Sequence, residues 1–131
     1  RSAKAVADMA GAPAPLVLIT EGVKAVVNDA AVGETAGKAL KAAFGDKFRT
    51  VPPVTASEDY SYYVSSGVPS MFFNIGVHDP QAVAAAQKAG TPLPGNHSPL
   101  FAPVPKPTIQ TGVTAMTLAV LSAFYRRSKG E

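Results

Sequence analysis

The sequence predicts an α/β fold, because amphipathic helical patterns alternate with short apolar runs from residue 28 onward. Two of these runs, residues 48–51 and 69–76, are rich in the β-branched and aromatic residues that favour strands, and so are residues 16–20 upstream. The run at residues 69–76 lacks a clean alternation of apolar and polar residues, which is typical of a central strand covered on both faces. We therefore expect helices packed on a sheet. The helices require more strands than the sequence provides, so the chain is either part of a larger domain or pairs with strands of another chain.

Capping residues and apolar spacing predict the helices. The best-defined helix starts after Asn28 or Asp29 as N-cap and stops at Gly45. A second helix is expected over residues 81–89, with an aspartate and a proline before it and a glycine after it. Both predictions depend on local signals, because a cap satisfies the backbone groups at a helix end.

Three further helices have less complete signals. Residues 1–10 are alanine-rich and end before a glycine, as expected for the end of a helix. Glu58 and Asp59 suit the first turn of a helix that ends at Gly67. The final helix opens at Pro107 and has an apolar face with helical spacing. Its members are Ile109, Val113, Met116, Val120 and Phe124, widened by Leu118 and Leu121.

Composition excludes several classes of protein. The chain has 131 residues, of which 47% are apolar and 16% charged, enough for a core. The net charge of +3 comes from scattered lysines and arginines, so no nucleic-acid surface is predicted. Because there is no cysteine, any zinc would be held by imidazole and carboxylate. The longest apolar run, residues 112–125, is shorter than the ~20 residues that span a bilayer, so we interpret it as a core helix.

The start of the sequence suggests a longer protein. The first residue is not methionine, and residues 1–10 lack the compact apolar region of a signal peptide. We therefore expect the sequence to begin within a larger chain.

The stretch from Gly95 to Phe101 is the main candidate for a functional site. Prolines surround it, and because proline fixes φ and lacks a backbone donor, the loop should be stiff but irregular. His97 lies at its centre, and a histidine on a stiff loop suits a metal site or a proton-transfer site. Taken alone, the pattern favours a loop histidine without function, since metal sites need three or four ligands.

Other polar clusters have structural explanations. Glu58 and Asp59 suit the positive end of a helix dipole without any catalytic role. His78, next to an Asp-Pro pair, is expected to be a surface or capping residue. The sequence has no G-x-S-x-G motif to position a nucleophilic serine, no phosphate-binding glycine loop and no pair of histidines on a helix.

Two sequence motifs, taken in their order along the chain, favour a functional role for these residues over the structural explanations. Residues 56–63 (ASEDYSYY) precede a Val-Pro pair and an aromatic run that ends in Gly76, and residues 96–99 (NHSP) precede the long final helix. Together they resemble the C-terminal region of the zinc-dependent amidohydrolase and carboxypeptidase family, particularly its hippurate hydrolases and N-acyl-amino-acid amidohydrolases. Upstream, residues 26–29 (VVND) resemble the return from the small lid domain of that family to its catalytic domain.

The resemblance implies a domain organisation and a set of site residues. Residues 23–131 would be the C-terminal part of a layered α/β/α metallopeptidase-type catalytic domain, and residues 1–22 the remnant of a small α+β lid domain. His97 matches the last metal-ligand histidine of the family. Glu58, Asp59 and Asn96 match positions near the metals, where they would support the site without binding substrate. The other ligands and the general-base glutamate have no counterpart in this sequence, so no catalytic residue is assigned.

The resemblance also implies an activity. The complete enzyme would hydrolyse the amide bond of N-acyl amino acids with two divalent ions, zinc or else manganese or cobalt. The chain alone would be inactive and need hold no metal by itself. The resemblance further implies a homodimer, with neither nucleic acid nor membrane as partner, and the cytoplasm is the default location. The alternative is a non-catalytic module in which the first ~25 residues pair edge to edge with a second copy.

Overall fold

The computed structural model describes residues 1–20 and 22–129, and every regular element in them is a helix. Glu21, inside the predicted unit 1–22, lies outside the described residues. In chain order the helices are α1 (Ser2–Met9), α2 (Ala30–Phe44), α3 (Ser61–Ser65), α4 (Pro80–Ala89) and α5 (Pro105–Lys129), and a short 3-10 turn, Gly45–Lys47, follows α2.

The capped helices are confirmed. The side chain of Asp29 accepts a hydrogen bond from the backbone N–H of Val32 at 2.8 Å, and Gly45 ends α2. Asp79 caps α4 in the same way, and Gly90 follows its last turn with φ +66°. Each helix end therefore satisfies part of its backbone locally, which explains why sequence signals alone located both helices.

The other helices differ from their predictions to different extents. The first ends at Met9, as expected, and the final helix begins two residues early, at Pro105. The predicted helix from Glu58 to Gly67 is wrong in extent, because α3 covers only Ser61–Ser65. The acidic pair precedes it, and no side chain caps its N-terminus.

The predicted α/β fold is wrong for the residues that the structure describes, since none of them forms a strand. The predicted strands at residues 16–20, 48–51 and 69–76 are not part of any sheet. A helix makes its backbone hydrogen bonds within one segment, whereas a strand needs a second segment alongside it. The predictions of a layered α/β/α domain and of an α+β lid remnant are wrong for the same reason, because both require a sheet.

A side chain takes the place of a strand partner for residues 70–72. The amide of Asn28 donates to the carbonyl of Phe72 at 2.9 Å and accepts from its backbone N–H at 2.8 Å. The backbone N–H of Asp29 donates to the carbonyl of Ser70 at 2.8 Å. These three bonds attach the aromatic run to the start of α2.

The core lies between α2 and α5. Among the residues whose burial is described, the buried apolar ones are Ala36 and Leu40 on α2 and Ala115 on α5, each at most 4% exposed. Small alanines on both helices allow a close approach. Beside them, Ile75 packs over Gly112, where a Cβ would lie 3.4 Å from the Ile75 methyl group. The core is thus one helix pair with the aromatic run against its edge.

Most of the apolar surface remains exposed. The accessible surface is 10797 Å², whereas a compact chain of 13.4 kDa exposes roughly 6,500 Å². The exposed residues include Leu16, Leu18 and Ile19, at 77–92% exposure, and much of α5. The prediction of a core helix near the C-terminus is therefore only partly right, because one face of α5 is buried and another is open.

The same helix meets the length and composition of a membrane span. Residues Pro105–Ser128 have a window of mean hydropathy 1.2, of which 6% is buried. Helices packed in the core of proteins that do not cross membranes also reach this value. The helix that packs on α5 carries Glu34 and Lys38, which form an exposed ion pair.

Candidate metal-binding loop

His97 lies on an irregular loop that is held by its own hydrogen bonds, and this irregularity was predicted. The backbone N–H of Ser98 donates to Gly95 at 3.2 Å, and that of Phe101 donates to the carbonyl of Ser98 at 3.0 Å. The Ser98 hydroxyl accepts from the N–H of Leu100 at 3.2 Å. One serine therefore closes two successive turns around the histidine.

The backbone of His97 is in a sparsely populated conformation. Its φ is +68°, and it is the one residue other than glycine with positive φ among those described. The left-handed region disfavours most side chains, although histidine enters it more often than bulky residues do. Such a position is retained where the surrounding structure determines it, and such outliers occur often at functional sites.

The imidazole of His97 is exposed, and no hydrogen bond to it is found within residues 1–20 and 22–129. Among those residues, no hydrogen bond therefore fixes the tautomer of the ring. A neutral imidazole in this state can bind a metal without first breaking another bond.

The base of the loop contacts the residues before α4. The ring of Phe101 lies edge-on to His78, with ring centroids 5.9 Å apart and planes at 85°. The backbone N–H of Val104 donates to the carbonyl of Val77 at 2.9 Å. These two contacts hold the end of the loop just before α5 begins.

The acidic residues are held elsewhere. Glu58 is half-buried and accepts from the backbone N–H of Tyr60 at 3.1 Å, while Asp59 and Asn96 are exposed. The Tyr60 ring packs on Phe72 at a centroid distance of 5.4 Å. No hydrogen bond or ion pair joins Glu58, Asp59 or Asn96 to His97 within the described part of the chain.

The described residues do not complete a metal site. Among them, no group of three or more histidine, aspartate or glutamate side chains is arranged to hold an ion. His97 alone fits one coordination position of zinc, as an imidazole nitrogen. Glu58 and Asp59 are not joined to His97 by any hydrogen bond or ion pair among the described residues, and the ligand role of His97 stays a prediction.

Ser61 is a polar residue that sequence reasoning missed. It is 1% exposed, and its hydroxyl has no hydrogen-bond partner among residues 1–20 and 22–129. A buried hydroxyl without a partner is costly, since it loses water without regaining a bond. Its position two residues after the acidic pair was visible in the sequence, but its burial depends on tertiary packing.

A shallow groove lies beside His78. It has a volume of about 400 Å³ and is lined mainly by apolar atoms of α4 and the loop after it, including Val83, Ala86 and Leu93. His78 is its titratable lining residue. The prediction that His78 is a surface or capping residue is confirmed in part, because Asp79 is the cap and His78 is half-buried next to it.

Glu34 on α2, outside the His97 loop, has a shifted pKa. The Lys38 ammonium donates a hydrogen bond to Glu34 at 2.7 Å, and this bond, together with the positive charge, lowers the pKa of the carboxyl. The pair is at positions i and i+4 on α2 and is solvent-exposed. It stabilises the helix and has no part in the loop.

Comparisons with known proteins add no family. No family model matches the chain, and no solved structure matches it. The resemblance to metal-dependent amidohydrolases therefore stays a prediction from the two motifs and their order.

Proposed function

We propose that this chain is part of a metal-dependent amidohydrolase that cleaves the amide bond of N-acyl amino acids such as hippurate, and that His97 is one of its metal ligands. One observation carries the proposal: an exposed imidazole that has no hydrogen-bond partner in the described part of the chain, at φ +68°, on a loop closed by its own bonds. A loop of this kind sets the ligand geometry before metal arrives, which favours binding.

The proposal requires further ligands from polypeptide outside the described residues. Support comes from the unusually large accessible surface, 10797 Å², which leaves apolar side chains available to pack against more protein. A histidine ligand at the edge of one unit and carboxylate ligands on another would meet at the contact between them. Sites at such contacts are common in enzymes.

The role of each residue follows from its position. When bound, a pair of divalent ions would supply an activated water and polarise the amide carbonyl. His97 would donate a ring nitrogen to one ion, and the two turns closed by Ser98 would prevent the ring from swinging away. Asn96, the preceding residue, is exposed and would accept a hydrogen bond from the other ring nitrogen.

The test uses the complete open reading frame that contains residues 1–131, expressed and assayed for hippurate hydrolysis with zinc, manganese or cobalt. We expect hydrolysis, and we expect His97→Ala to lower kcat/KM by ~100-fold or more, because a lost ligand weakens metal binding as well as the chemical step. His78→Ala is the matched control. It removes the other histidine of the chain, which contacts Phe101, and should leave kcat/KM close to that of the wild type.

Two outcomes would contradict the proposal. One is an absence of hydrolysis with all three metals, and the other is an unchanged kcat/KM in His97→Ala with the metal content also unchanged. A zinc titration of residues 1–131 tests the need for outside ligands separately. Tight stoichiometric binding together with hippurate hydrolysis by this chain alone would show that the site is complete without them.

The exposure of residues 16–19 favours a second candidate function, a non-catalytic module that pairs with its own copy. Leu16, Leu18 and Ile19 are exposed, and the described backbone of residues 13–20 makes no hydrogen bond. An unpaired apolar segment of this kind can form a strand with an identical segment. Sedimentation of the chain with and without residues 1–22 tests it, since deletion should dissociate such a pair.

A further inference from the structure

The groove beside α4 lies where the His97 loop begins and ends. We name it the α4 groove and define it by its main lining residues, His78, Val83, Ala86 and Leu93. All four are half-buried, and the groove has a volume of about 400 Å³. Small-molecule sites in proteins have volumes of this order and are mostly apolar.

The end of α4 shapes the groove. Gly90 at φ +66° reverses the chain after the last turn, and the backbone N–H of Thr91 donates to the carbonyl of Ala86 at 3.1 Å. A bond with this spacing closes a helix C-terminus and turns the following residues back toward the helix. Leu93 therefore lines the same groove as Val83, which is ten residues before it.

Both ends of the His97 loop lie at the α4 groove. Leu93, four residues before His97, lines the groove, and Phe101, four residues after His97, contacts the ring of His78 at a centroid distance of 5.9 Å. Four residues span at most about 14 Å, and the turn that the N–H of Ser98 closes on Gly95 shortens this path. The groove is therefore next to the proposed metal ligand.

The lining matches the apolar end of an N-acyl amino acid. Among the described lining residues, none except His78 has an ionisable side chain, so the groove offers no lysine or arginine to pair with a carboxylate. Val83, Ala86 and Leu93 present methyl groups, which favour contact with apolar surface. An N-acyl amino acid carries its carboxylate at one end and its acyl group at the other. The acyl end is the one that suits this groove.

We propose that the α4 groove binds the acyl group of the substrate, and that Val83, Ala86 and Leu93 set a preference for apolar acyl groups larger than acetyl. The inference rests on the proposed function, since it takes the reaction centre to be at His97. A benzoyl group can cover all three side chains, whereas an acetyl group offers one methyl. Each additional buried carbon strengthens binding, so the larger acyl group is favoured.

The first experiment compares two substrates in the complete enzyme, N-benzoylglycine (hippurate) and N-acetylglycine. Ala86→Phe fills the groove with a phenyl ring, so we expect kcat/KM for hippurate to fall by about 10- to 100-fold and kcat/KM for N-acetylglycine to stay close to that of the wild type. Ala85→Phe adds the same ring at an exposed position of α4 outside the groove, and should leave both values nearly unchanged.

The ratio of the two substrates separates a change in specificity from misfolding. A misfolded or metal-depleted variant loses activity toward both substrates, so it cannot imitate a selective loss for hippurate. His78→Ala removes a ring whose edge faces Phe101 and fills none of the groove, so it should leave the ratio close to that of the wild type. A loss in Ala86→Phe that is equal for both substrates, or no loss for hippurate, overturns the proposal.

The second experiment measures binding without catalysis. Hippurate is added to the metal-free chain, and the methyl signals of Val83 and Leu93 are followed by NMR. We expect the aromatic ring of the ligand to shift these signals in the wild type and in His97→Ala, but not in Ala86→Phe. Methyl signals that hippurate leaves unmoved in the wild type overturn the proposal.

The two experiments separate the groove from the proposed function. If the wild type hydrolyses hippurate and His97→Ala does not, unmoved methyl signals or an unselective Ala86→Phe would overturn the groove proposal alone. If the wild type hydrolyses neither substrate, the proposed function fails, and the methyl signals then decide whether the groove binds an aromatic acyl group.

Discussion

The helix pair α2–α5 and the segment of residues 13–20 are both apolar, yet only the helix pair buries side chains. Leu40 in the pair is 2% exposed, whereas Leu18 in the segment is 77% exposed. The helices satisfy their backbone groups internally and are capped, as by Asp29, so they need a partner only for one face. The segment makes no described backbone hydrogen bond and needs a partner for its main chain as well.

This difference explains how stability is distributed. The buried residues Ala36, Leu40 and Ala115 all belong to the helix pair. Regions with few buried contacts and few protected backbone bonds open at low free energy, while the core opens only on global unfolding. The His97 loop lies between these extremes, since its turns are closed but its side chain is open.

The largest expected effect is in the helix pair. Leu40→Ala should lower the free energy of unfolding by about 2–5 kcal/mol, because it removes buried methyl groups and leaves a cavity. The matched variant Leu18→Ala should change it by less than about 0.5 kcal/mol, since that side chain is exposed. Urea unfolding followed by circular dichroism measures both. Equal losses of unfolding free energy in the two variants would contradict this expectation, because they would show that Leu18 is packed in solution.

A smaller effect is expected where an extended run is attached to the helix pair. Asn28→Ala removes the two bonds to the backbone of Phe72, and we expect a loss of about 1–2 kcal/mol. Asn28→Asp keeps the acceptor and removes the donor, so its loss should be smaller. If neither variant changes the urea midpoint, residues 70–72 are held by Ile75 on Gly112 and not by Asn28.

A gain in stability is expected at the start of α3. Ser61→Ala removes a buried hydroxyl without a partner and should raise the free energy of unfolding by up to about 1 kcal/mol. Ser65→Ala is the control, because its hydroxyl donates to the carbonyl of Tyr62 at 3.2 Å and is exposed. A loss of stability in Ser61→Ala would show that its hydroxyl makes a bond in solution.

The smallest effect is expected on the surface of α2. Because folding lowers the pKa of Glu34, its ion pair with Lys38 adds stability above the ordinary pKa range of a glutamate. This contribution disappears as the pH falls through the lowered pKa. The urea midpoints of the wild type and Glu34→Gln should therefore differ slightly at neutral pH and converge in acid. A difference that grows in acid would contradict the sign.

Helices were predictable from sequence because their signals are local. An aspartate that caps the backbone, and a glycine with positive φ after the last turn, located α4 at the predicted ends. The aromatic run at residues 69–76 has the composition of a central strand, but composition does not supply the neighbouring strand that would make it one. Its actual neighbours, Asn28 and Gly112, lie 40 or so residues away in sequence and left no pattern.

For the candidate site, the sequence likewise predicted the local feature, an irregular loop, but not the detailed geometry. Prolines around residue 97 predicted an irregular loop, and this is confirmed. The positive φ of His97 and the two turns closed by Ser98 could not be read from residue types, since they depend on the path of the backbone. The ligand role of His97, and the supporting roles of Glu58, Asp59 and Asn96, stay predictions.

Amide hydrogen exchange of dilute, monomeric chain most directly tests the claim that the helix pair is the ordered unit while the predicted strands stay unpaired. We expect the slowest exchange at amides around Leu40 and Ala115, and fast exchange throughout residues 16–20. Protection of residues 16–20 as strong as that of α2 would contradict the account, because it would require a sheet in the chain.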